Sequence, residues 1–167
     1  MKAGKMSSGL LLQMHRLGCG LDEEQLAILL RSRFKMRGMT AERVRRMESG
    51  AEVISVFDAP YFEQLLKARE LTITVAKEQG IRRVPTGVLM RVARLHYGWT
   101  QGEMAKRAGY AHSNFVSMIE GGTSKVPRDL GPKLDSIFRL KMPLFARRAL
   151  EDHAAEAAAA VLPPRTV

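Results

Sequence analysis

Apolar positions recur at three- and four-residue steps along most of this chain, the spacing that lines one face of an α-helix. Val88, Leu89, Val92, Ala93 and Leu95 form one such run; Leu26, Ala27, Leu29 and Leu30 form another, and Leu130, Leu134, Ile137 and Phe138 a third. Strict alternation, the mark of a half-buried strand, is scarce. Residues 53–57 and 71–75 are β-branched enough for short strands, but each is flanked by helical sequence. The pattern therefore predicts an all-α fold. Gly80 stops one helical run and Pro85 precedes the next, which divides the chain into residues 1–80 and 81–150. Residues 151–160 are alanine-rich and helical by propensity, and Pro163 and Pro164 should end that helix, leaving 151–167 as a helix end with a frayed tail.

The two halves resemble one another. Laid over residues 86–108 at a shift of 78, residues 8–30 match Gly9 to Gly87, Leu11 to Leu89, Arg16 to Arg94, Leu17 to Leu95, Gly20 to Gly98 and Ala27 to Ala105. Further on, residues 44–50 (VRRMESG) lie over 116–122 (VSMIEGG) at a shift of 72, where Pro60 meets Pro132 and Leu66 meets Phe138. The difference between the shifts places six extra residues in the first copy, between Ala27 and Val44. Paired glycines and the shared Glu-x-Gly endings point to duplication of one helical unit.

The second copy carries the motif that bears on function. Thr100 can cap a helix whose third residue, Glu103, completes a capping box. Ala105 is small where the next helix would cross, and Gly109 supplies a turn with positive φ. A further helix over 113–120 follows, with Phe115, Met118 and Ile119 expected to anchor it to the core and His112, Ser113, Asn114 and Ser117 expected to face out. Gly121 and Gly122 end it.

On Gln101, Glu103, Met104, Ala105, Gly109, Ser117, Ile119, Glu120 and Gly122, this segment resembles the helix-turn-helix family of the lambda and Cro repressors, the Xre family. The run 109–127 is similar to a bacterial and phage subgroup whose turn is one residue longer. The resemblance covers roughly residues 85–150 and implies tandem lambda-repressor-like helix-turn-helix bundles, the N-terminal copy degenerate: residues 38–50 fit the family's turn and third helix, but the stretch before Gly38 does not. It also implies double-stranded DNA as the partner, read by a recognition helix over 112–121. An α-helix fits the major groove and its N-terminal residues reach base edges. His112, Ser113, Asn114 and Ser117 are the candidate readers; Asn pairs bidentately with adenine. Gln101, at the start of the second helix, matches the family position that clamps the phosphate backbone, and Lys106, Arg107 and Lys125 are candidate phosphate contacts. In the first copy Thr40, Arg43, Arg45 and Arg46 occupy the corresponding outward positions, beside a less welcome Glu42.

Charge strengthens this picture. Lys and Arg number 27 against 17 Asp and Glu, a net of +10. Residues 81–167 hold 14 basic and 7 acidic residues, a net of +7, so the second half is the better candidate for a polyanion. Cys19 alone excludes an internal disulfide and a cysteine metal cluster, and is expected to be packed as a small apolar residue; the four histidines have no ligand spacing. No stretch reads as a membrane span or signal peptide, which suits a cytoplasmic protein. No phosphate-cradling glycine loop, paired carboxylates or nucleophile elbow suggests an enzyme, and no cofactor is implied; Asp22, Glu23 and Glu24 read as a helix start. The expectation is a repressor-like regulator, a homodimer on an inverted repeat, with the first copy mediating dimerisation or reading a second half-site. The alternative is a helix-turn-helix protein-interaction module, antitoxin-like or a phage-encoded inhibitor of a host protein, with residues 53–62 as an apolar partner surface or as core.

Overall fold

A computed structural model describes residues 6–161. The described residues form helices and no strand, and the chain divides into two compact units between Val84 and Pro85. The first unit holds α1 (Ser8–Gly18), α2 (Glu23–Phe34), α3 (Ala41–Glu48), α4 (Ala59–Leu66) and α5 (Leu71–Glu78). The second holds α6 (Thr86–His96), α7 (Gln101–Ala108), α8 (Asn114–Glu120), α9 (Leu130–Ile137) and α10 (Leu144–Val161). Residues 151–160 thus continue α10 and belong to the second unit; the helix end expected at Pro163 and Pro164 lies outside the described residues. No helix among the described residues is long and apolar enough to cross a membrane.

The elements form where local chemistry asks for them. Asp22 caps α2 through a reciprocal pair with Gln25, and Thr100 caps α7 through the pair with Glu103 that the sequence suggested. The bonds from Thr100 hold the exposed Glu103 carboxyl below the usual carboxylate range. Gly109 closes α7 with φ 85°, where an L side chain would be strained. Residues 71–75 are helical, inside α5, because Leu71 and Val75 fall on one buried face. Residues 53–57 form an irregular link in which Ile54 and Val56 are buried and Val53 is exposed, so most of this apolar stretch is core and not a free surface. Cys19 is exposed, contrary to expectation, because it caps the end of α1.

Each unit closes its own core, Leu12, Leu26, Val44, Met47 and Phe62 in the first and Met90, Met104, Val116, Ile119, Leu134 and Phe138 in the second. The same fine structure recurs in both. Gly20 and Gly98 end the first helix of each unit at φ 68° and 70°, and Lys67 and Arg139 both adopt left-handed backbone after the fourth helix, at φ 58° and 51°. A carboxylate at the matched positions Glu63 and Asp135 accepts the first amides of the fifth helix: Glu63 takes the Thr72 N–H and hydroxyl, and Asp135 takes Phe145 N–H (2.7 Å) and Ala146 N–H (2.9 Å). The six-residue insertion resolves into an α2 that runs to Phe34, longer than α7, and a longer link to α3.

Asp135 is buried, and both its oxygens serve α10. Asp135→Ala leaves two helix-start amides without an acceptor. The expected loss is about 2 kcal/mol of stability, read as a lower urea midpoint with an unchanged slope.

Candidate nucleic-acid interface

The candidate interface is built on a buried ion pair. Arg94 Nε and Nη2 donate to the two oxygens of Glu120 at 2.6 and 2.8 Å, while Nη1 donates to the Trp99 carbonyl at 2.7 Å. Glu120 is 0% exposed and also receives Arg91 Nε at 3.3 Å and Gln101 Nε2 at 3.0 Å. One carboxylate therefore gathers the end of α6, the start of α7 and the end of α8. The first unit repeats the arrangement: Arg16 Nε and Nη2 reach Glu48 at 2.6 and 2.8 Å, and Nη1 donates to the Leu21 carbonyl at 2.8 Å. Pairing with Glu48 raises the Arg16 guanidinium above its ordinary value.

A buried acid at its last position sets how α8 is rotated. With Glu120 inward, Val116 and Ile119 share the buried face, and Asn114, Ser117 and Met118 are turned out. Met118, expected in the core, is 45% exposed; the apolar spacing of 115, 118 and 119 suggested one rotation, and the ion pair imposes another. Phe115 is half-buried and stacks on Tyr110 at 4.1 Å between ring centroids, steadying the turn against the start of α8. His112 is exposed and Ser113 half-buried; Ser113 occupies the N-cap position without a side-chain capping bond. Three of the four sequence-predicted readers, His112, Asn114 and Ser117, thus stand exposed on or beside α8.

The expected phosphate contacts fare differently. Lys106 is exposed on α7. Arg107 is exposed, its guanidinium 4.2 Å from the centre of the Trp99 ring, so its stem is fixed while its rim stays accessible. Gln101 does not extend outward from the start of α7: its amide nitrogen is spent on Glu120, because the buried carboxylate has room for a further donor. Lys125 follows α8 and is exposed, but its ammonium lies 2.8 Å from Glu156 and 3.2 Å from the Asp152 carbonyl.

In the first unit the arginines of α3 are engaged by carboxylates. Thr40 caps α3, its hydroxyl accepting the Arg43 N–H. Arg43 is half-buried and pairs with Glu52 at 2.6 Å, so it is not an outward residue; it matches Phe115, which is likewise drawn in. Arg45 pairs with Glu42 at 2.9 Å, and Arg46 lies 3.8 Å from Glu52. The outward face of α3 carries both signs.

Arg91 has no place in the sequence reading; Arg94 enters it only through the repeat, Glu120 only through the repeat and the family resemblance, and Met118 only as core. The repeat held the signal for the ion pair, since Arg16 matches Arg94 and Glu48 matches Glu120. A scan against models of protein families finds no match for this chain, and searches of curated proteins and of solved structures find none either.

Proposed function

We propose that this chain is a sequence-specific regulator of double-stranded DNA, built as two tandem helix-turn-helix bundles of the lambda-repressor kind, in which α8 reads the major groove. The carrying observation is the outward face of α8: Asn114, Ser117 and Met118 are exposed on a short helix whose other face is anchored through Glu120. Asn and Ser supply hydrogen bonds to base edges, and Met118 supplies an apolar contact suited to a thymine methyl. Exposed Lys106 and Arg107 on α7 supply charge for the backbone. The net +10 favours a polyanion through counterion release.

The first unit plays a different part. A face carrying Glu42, Arg45 and Arg46 with its charges paired is a poor phosphate clamp, because its cations are engaged and Glu42 would meet the negative backbone. We assign it to homodimerisation, which sets two α8 helices on an inverted repeat one helical turn, about 34 Å, apart. A repressor bound across such a site acts by occlusion.

Selection from a random duplex pool tests this reading. Enrichment of an inverted repeat is expected, and Asn114→Ala should cost about 1–3 kcal/mol on the selected site while leaving random duplex unaffected. A single asymmetric site overturns the dimer; equal losses on both DNAs overturn Asn114 as a reader; no enrichment overturns the DNA reading.

A further inference from the structure

The fifth helices of the two units differ most. α5 ends at Glu78, whose carboxylate accepts the Ser8 N–H at the start of α1 (2.8 Å). α10 makes the matching tie, Asp152 accepting the Thr86 hydroxyl at the start of α6 (2.6 Å), and then continues to Val161. The first unit has no counterpart to this continuation. Its residues 154–160 are exposed and mostly alanine, so burial does not account for its course.

Three polar contacts fasten it to the loop that follows α8. Lys125 Nζ lies 2.8 Å from Glu156 Oε2 and donates to the Asp152 carbonyl at 3.2 Å, and His153 Nε2 donates to the Val126 carbonyl at 3.1 Å. Beside these contacts lies a cavity of about 320 Å³, lined by Thr86, Gly122, Ser124, Lys125, Asp152 and Ala155 among others. The tie to Glu156 is a polar contact between exposed side chains, so it can be undone while Val126 stays packed in the core. The ammonium also holds the exposed Glu156 carboxyl below the usual carboxylate range, as a close ion partner does.

We propose that the end of α10 is a strap over the loop after α8, and that Glu156 is a built-in rival of DNA phosphate for Lys125. Free of DNA, the strap holds residues 123–126 and masks one cation beside the reading helix. On a duplex, a phosphate replaces Glu156, so each binding event bears the loss of one ion pair. The device lowers affinity for all sequences alike and leaves discrimination to α8. This step rests on the DNA reading above, whereas the strap itself does not.

Two measurements on the full chain separate the parts. In Glu156→Gln without DNA, amide exchange of residues 123–126 should quicken relative to the unaltered protein; unchanged exchange overturns the strap. With a random-sequence duplex at low salt, Glu156→Gln should bind about threefold more tightly, with the salt slope unchanged because Lys125 meets a phosphate in both proteins. Adding Lys125→Ala should abolish that gain. Equal affinity in Glu156→Gln, or a gain that survives Lys125→Ala, overturns the rivalry. Quickened exchange in a chain that binds no duplex upholds the strap and overturns both the rivalry and the DNA reading.

Discussion

Glu120→Ala should destabilise the second unit by about 3–5 kcal/mol, the loss expected when one member of a buried ion pair is removed and its partner stays. The geometry argues for the upper part of that range. Glu120 is the shared acceptor of Arg94, Arg91 and the Gln101 amide, and both guanidinium groups are buried. Truncation removes the acceptor that two buried guanidinium groups share where α6, α7 and α8 meet. The matched substitution Glu48→Ala should cost less, because it takes a carboxylate from one buried arginine, Arg16, where Glu120→Ala takes it from two. Urea unfolding with amide exchange resolved by helix checks both. Loss of protection in α6 and α8 for Glu120→Ala, exceeding that in α1 and α3 for Glu48→Ala, is the expected ordering; equal losses would mean that Arg91 adds no burden.

The second large effect concerns a helix crossing and not a charge. A Cβ on Gly87 would stand 1.9 Å from the Ile119 carbonyl oxygen, and one on Gly9 would stand 2.6 Å from the Met47 carbonyl oxygen. These are backbone atoms at the ends of α8 and α3, so no side chain can swing aside. In each unit the first helix meets the third backbone to backbone, and glycine is the residue that permits it. Gly87→Ala should therefore cost more than about 3 kcal/mol, beyond ordinary overpacking, since the crossing itself must open. Gly9→Ala should cost less, its clash being the milder. Thermal unfolding of the two variants checks the order. A Gly87→Ala protein as stable as its parent would mean that α6 can slide away from α8 at little expense.

Much of this was legible in the sequence, because the signals were local. Helical spacing, the Thr100–Glu103 capping box and the Gly109 turn each depend on residues within a few positions of one another. The matches between the two halves were legible too, and the structure gives them physical meaning: Gly9 and Gly87 are close crossings, and Arg16–Glu48 and Arg94–Glu120 are ion pairs. What patterning missed depends on contacts across the chain. The rotation of α8 is fixed by Glu120 reaching residues on α6, and an apolar count over seven residues cannot see that; hence Met118 faces out. Gln101 and Arg43 were assigned outward on position alone, but each lies within reach of a carboxylate, Glu120 and Glu52. Lys125 is engaged by Glu156, far along the chain on α10. Polar partners at long separation decide where these side chains point, and they carry no periodicity.

On the proposed reading, α8 enters DNA with its exposed face first. Backbone amide shifts of the full chain, recorded as a duplex carrying the selected site is added in dilute salt, follow that entry residue by residue. The largest changes should fall on residues 112–118, with smaller ones at Lys106 and Arg107, and α3 should be nearly silent. Amides of α8 that stay unmoved while the duplex binds elsewhere, or a titration that moves nothing at all, would contradict the account.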